Sequence, residues 1–115
     1  MKTLALAALP LAILASAAAA VEREARCVIT SRGEAPWRGP CLFSSGRRGS
    51  FTISGVNGGD VAGMSDFLLE VTSPGVGRAT YMMRGLGRHE DGGILRRSRR
   101  DRACWVGRNY SICVY

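Results

Sequence analysis

Five arginines, Arg96, Arg97, Arg99, Arg100 and Arg102, stand within seven consecutive residues. A guanidinium group is a planar, permanently charged fork that pairs with carboxylate or phosphate through parallel hydrogen bonds. The chemistry such a run offers is therefore anion recognition rather than proton transfer. Two readings compete. In one, the arginines form a strip that binds nucleic acid, lipopolysaccharide, anionic lipid or an acidic protein. In the other they are solvated and keep a sheet edge from pairing with another chain. If the run were a strand, Arg96, Arg100 and Arg102 would point one way and Arg97 and Arg99 the other. Charge on both faces cannot be buried, so the run is predicted to be an edge or a loop feeding the last hairpin.

The rest of the charge pattern agrees. Residues 21–115 hold fifteen arginines and no lysine, against nine carboxylates. Eight of those arginines and only three of the acids fall between Arg84 and Arg108. Around the run stand the other residues with distinctive chemistry, Cys27, Cys41, Cys104 and Cys113. An even number of cysteines in a small exported chain reads as a disulfide framework, here two bridges with three possible pairings. Arg108 and Asn109 fit a two-residue hairpin loop, with Asn tolerating the positive φ such a turn uses. Gly107 then faces Tyr110 and Cys104 faces Cys113 across the strands, within disulfide reach. Cys27 with Cys41, around the turn "SRGE", is the complementary pair. The rival is a clasp, Cys27–Cys113 or Cys27–Cys104, which chain entropy favours because it closes a longer loop. A zinc site would need closely spaced thiol pairs, and no Cys-x-x-Cys is present.

Catalytic signatures are missing from the sequence. The single histidine, His89, lies in "GRHEDGG" beside Glu90 and Asp91, without a positioned nucleophile. There is no nucleophile elbow, no Walker loop and no His-Glu-x-x-His. Asn57, Asp60 and Asp66 are candidate calcium ligands, but their spacing does not match an EF-hand loop. The chain reads as non-enzymatic, with no cofactor and no metal.

Two segments frame these residues. Met1 and Lys2, the apolar run Leu4 to Leu14 and the small residues "ASAAAA" form the tripartite pattern of a secretory signal peptide. Residues 1–20 are the predicted signal, cut before Val21, with cuts after Ala17 or Ala19 as alternatives. The apolar run is shorter than the roughly 20 residues of a membrane span, and Pro10 interrupts it. The rest, 21–115, is the length of one small domain, periplasmic or secreted, without a transmembrane span after processing and read as a monomer. Within it, glycine-punctuated runs alternate in polarity, as in "GSFTISG", "DFLLEVTS" and "RATYMMR". No window outside the signal shows a helical stripe. Turn signals every 8–12 residues or so predict an all-β domain. The expected fold is a small antiparallel sandwich or barrel of about six to eight short strands, stapled by two disulfides. "GILRR" is a doubtful strand, and Gly85 to Gly93 is the most loop-like stretch. Trp37 and Trp105, each beside a cysteine-bearing strand, are expected to pack on the disulfides.

The segments "RGPCLF", "GSFTIS" and "ILRRSRRDRACWVGRNYSICVY" resemble a group of small, uncharacterised exported proteins of proteobacteria. These share a Gly-Pro-Cys-x-Phe strand, a Gly-Ser-Phe strand and an Ala-Cys-Trp…Ile-Cys ending. In this chain the shared positions are Gly39, Pro40, Cys41 and Phe43; Gly49, Ser50 and Phe51; and Ala103, Cys104, Trp105, Ile112 and Cys113. The resemblance implies export and the fold, and it carries no activity. This chain departs from the group in a longer arginine stretch between Leu95 and Ala103. At fold level alone the chain is similar to periplasmic lysozyme inhibitors. The functional expectation is a binding module of unspecified ligand. Its partner would be an anionic envelope component or, if it is an inhibitor, a hydrolase. An inhibitor would use the loop "GLGRHEDGG"; a polyanion binder would use the strip 96–102.

Overall fold

The computed structural model describes Pro10 and residues 22–115; apart from Pro10, the predicted signal segment lies outside the described residues. Eight strands follow one another along the chain: β1 Glu22–Ser31, β2 Trp37–Ser45, β3 Phe51–Ser54, β4 Met64–Ser73, β5 Val76–Met83, β6 Glu90–Arg97, β7 Cys104–Gly107 and β8 Tyr110–Val114. Each pairs antiparallel with the next, and β8 returns to β1, so the sheet closes into a barrel. The alternating runs dictate this arrangement. Ala25, Cys27 and Ile29 on β1, Phe51 and Ile53 on β3, and Phe67 and Leu69 on β4 are all buried on one face, and their neighbours face outward. A closed sheet has one inner face to fill and no free edges.

An eight-stranded barrel has an interior just wide enough for side chains. Phe67, Ile53, Leu69, Leu95, Ile112, Val61 and the Cys27–Cys41 bridge fill it, each below 2 % exposed. Bulky residues need small ones opposite. At Gly77, an added Cβ would lie 3.0 Å from the side chain of Leu69 and from the carbonyl oxygen of Glu70.

Both predicted disulfides are present. Cys104 faces Cys113 directly across β7 and β8, as the hairpin argument requires. The turn that sets this register is not of the positive-φ kind, however. Among the described non-glycine residues positive φ is confined to Arg48, Asn57 and Ala62, so Asn109 does not use it. Cys27 faces Gly39, and Ala25 faces Cys41, so the other bridge runs diagonally inside the barrel. The second bridge lies on the outer wall, because Trp105 and Ile112, the next residues along, point inward.

Three local expectations change. "GILRR" belongs to a full strand, β6, which begins at Glu90 and shortens the loop to Arg84–His89. The glycine pair that resembles a loop forms a β-bulge instead: Ala79 pairs with Gly93 and Thr80 with Asp91, leaving Gly92 as the extra residue. Gly93 takes φ +84°, which side chains rarely adopt. Finally, the arginine run protects no edge, because closure has removed the edges. Among the described residues, no helix is long and apolar enough to cross a membrane.

Candidate functional site

The barrel has two ends of different character. One collects the start of β1, the β2–β3 loop, the β4–β5 turn, the β6–β7 turn and the chain's last residues. Along β6, Arg96 and Arg97 occupy the final strand positions, and the chain then leaves the sheet. Ser98 to Ala103 is a tight turn held by its own side chains. The Ser98 hydroxyl accepts from the amides of Arg100 and Asp101, each at 3.2 Å. Asp101 accepts from the Ala103 amide at 3.0 Å, and the Tyr115 hydroxyl donates to it. The Tyr115 phenol, then the Ala103 amide, hold the Asp101 carboxyl below its ordinary pKa; the same contact with Asp101 raises Tyr115.

The run therefore divides. Arg96 faces outward between Val76 and Val106. Arg97 sits opposite Trp105, on the inner side of the wall at the barrel mouth. Its guanidinium lies over the Trp105 ring, 5.6 Å from the centroid, and its Nε donates to the Arg102 carbonyl at 2.9 Å. Arg99 and Arg100 are exposed at the turn. Arg97 and Arg102 together line a cleft of about 260 Å³ whose other walls include Arg23, Phe43, Phe51, Trp105 and Val114. Arg23 shares the inward parity of Ala25 and Cys27 and lies over the Phe43 ring, 4.9 Å from its centroid. Trp105 thus packs inward beneath an arginine, on the opposite face from its neighbouring disulfide, rather than on it.

Arg47 and Arg48 join from the β2–β3 loop, where a single 3₁₀ turn, Arg47–Gly49, brings them to the same end. With Arg23, Arg97, Arg99, Arg100 and Arg102, seven arginines meet there. The structure adds Arg23, Arg47 and Arg48 to four of the five in the run, Arg96 being left on the outer wall. Arg23 was readable from strand parity with the inward Ala25, whereas the position of Arg47 and Arg48 depends on barrel closure.

Charge neutralisation separates the two ends. Among the described residues every arginine–carboxylate pair uses an acid near the opposite end: Arg84 with Asp60, Arg88 with Glu90 and Arg78 with Asp91, and there too the His89 Nε2 lies 3.3 Å from Asp66. None of the seven arginines takes part in one. The same pairs fasten the loop Arg84–His89, and Arg84 also donates to the Gly58 carbonyl at 2.8 Å. The stretch expected to serve an inhibitor is thus tied to its surroundings. Asp60 and Asp66, weighed as calcium ligands, are engaged by Arg84 and His89.

A larger cleft of about 490 Å³ opens at that opposite end, between Tyr81, Tyr110, Met64 and Met83. The Tyr110 hydroxyl donates to the Tyr81 hydroxyl at 3.1 Å, and this contact with partial burial pushes the Tyr110 phenol up to about 12. Its rim mixes Arg32 with Glu34 and Asp91, so no single sign of charge prevails. No family model, curated protein or solved structure matches the chain.

Proposed function

We propose that this chain is an exported, non-enzymatic binding module that captures an anionic partner of the cell envelope on the arginine-bearing end of its barrel. One observation carries the reading: seven arginines from three separate segments meet at one end, and none is ion-paired within the described residues. Bringing like charges together costs repulsion energy that no ion pair among the described residues offsets; a bound anion would offset it. The all-arginine composition suits carboxylate or phosphate groups. Two disulfides in a small barrel suit the oxidising compartment that the signal-like residues 1–20 imply.

A salt gradient tests the proposal. The oxidised protein should be retained on immobilised heparin at physiological ionic strength. If about four arginines engage duplex DNA, log K should fall with log salt at a slope near −3.6. Replacing Arg97 and Arg102 together should flatten that slope by up to about 1.8, since each lost phosphate contact removes about 0.9. Elution of the wild type with the void volume at physiological salt would contradict anion capture.

A further inference from the structure

The cleft at the arginine-bearing end has a composition that a flat polyanion surface does not need. Its lining places Phe43, Phe51, Trp105 and Val114 beside Arg23, Arg97 and Arg102, and no carboxylate lines it. Two of the arginines lie over aromatic rings. Stacking engages the face of a guanidinium and leaves N–H donors at its edge for a ligand. Below the cleft the barrel is solid: Ile53, Phe67, Leu69, Leu95 and Ile112 are almost fully buried. A long acyl chain cannot thread down the axis, as it would in a hollow barrel. The volume, about 260 Å³, is just under the roughly 300–1,000 Å³ of sites for drug-sized ligands.

We propose that the cleft bounded by Arg23, Arg97 and Arg102 takes a small amphipathic anion: a carboxylate or phosphate head carried on one aromatic ring or a short acyl chain. The head meets guanidinium donors, and the apolar part packs on the partly buried Phe43 ring and Val114 at the cleft opening. Each half of the ligand answers one half of the lining, so neither charge nor apolar surface alone satisfies the site. The inference rests on the anion-capture reading and narrows it from a surface to a pocket.

Trp105 makes the pocket observable. Trp37 begins β2 at the far end of the barrel, so in a Trp37→Phe protein the only indole, that of Trp105, reports on the cleft. The oxidised Trp37→Phe protein is titrated with phenylacetate, phenyl phosphate, 2-phenylethanol, acetate and inorganic phosphate. The expected result is a saturable change in emission with phenylacetate, phenyl phosphate or both. Which of the two binds more tightly identifies the head group. The Arg23→Ala/Arg97→Ala variant, in which two exposed side chains are shortened, should lose at least tenfold in affinity while keeping its far-ultraviolet spectrum. Binding of 2-phenylethanol as tightly as phenylacetate would overturn the proposal by showing that charge is irrelevant. Equal binding of acetate or inorganic phosphate would overturn it by showing that the rings are irrelevant. No saturable response to either aromatic anion would also overturn it, even if heparin retention persisted; the arginine surface would then stand without the pocket. Loss of both responses would remove the anion-capture reading as well.

Discussion

Replacing Phe67 with alanine should destabilise the protein by about 3–5 kcal/mol, the cost of emptying a large aromatic site in a packed core. Phe67 is the largest fully buried side chain, 1 % exposed, at the middle of the inner wall between Ile53 and Tyr81. Its neighbours are held by a closed ladder of strands and cannot collapse into the space. Small domains have only about 5–15 kcal/mol to lose, so the variant should be marginal at physiological temperature. Urea unfolding followed at an unchanged slope gives the value directly. A loss under about 1 kcal/mol would mean the barrel centre is not filled by side chains. Ligands would then no longer be confined to the mouth.

The two disulfides should differ in their contribution although their loops are similar. They span 14 and 9 residues, for which chain entropy alone gives about 3.0 and about 2.6 kcal/mol. Surroundings separate them further. Cys27 and Cys41 have no exposed surface, and alanine at both positions leaves a void in the core as well as a freer unfolded chain. Cys104 and Cys113 lie on the outer wall, where solvent and the Tyr115 ring adjoin the bridge; the Tyr115 hydroxyl is 3.7 Å from the Cys104 sulfur. The Cys27→Ala/Cys41→Ala protein should therefore lose about 1 kcal/mol or more beyond the Cys104→Ala/Cys113→Ala protein. Denaturant midpoints of the two double variants, compared at equal slope, decide it. A difference of only about 0.4 kcal/mol or less would mean that loop entropy accounts for both bridges and that burial adds nothing.

What could be read in the sequence follows from distance along the chain. The Cys104–Cys113 register was readable because a two-residue loop fixes which residues face each other. The strands with clean alternation, Phe51 to Ser54 and Phe67 to Val71, were readable because one face of each must be buried. Closure was not readable. It depends on Val28 meeting Cys113, and the same alternating pattern suits a sandwich. Strand β6 was obscured by Gly92 and Gly93, whose usual meaning is a turn. Here they supply a bulge, and Gly92 passes close to Ala79. The arginine run was visible, but not its division into Arg96 outward, Arg97 and Arg102 at the mouth, and Arg99 and Arg100 at the turn tip. That division follows from where β6 ends, which the Ser98 and Asp101 hydrogen bonds fix. Arg47 and Arg48 lie some fifty residues before Arg97. Only the barrel topology brings them to the same end.

The central claim is that anions bind at one particular end of the barrel. Backbone amide chemical shifts, recorded while a short heparin oligosaccharide is added to isotopically labelled oxidised protein, test that most directly. The account predicts shifts concentrated at Arg23, at Arg47 to Phe51, and from Arg97 to Trp105. Residues around Tyr81 and Tyr110 should stay unmoved. Shifts concentrated around the Tyr81–Tyr110 cleft, or spread evenly over all eight strands, would contradict it.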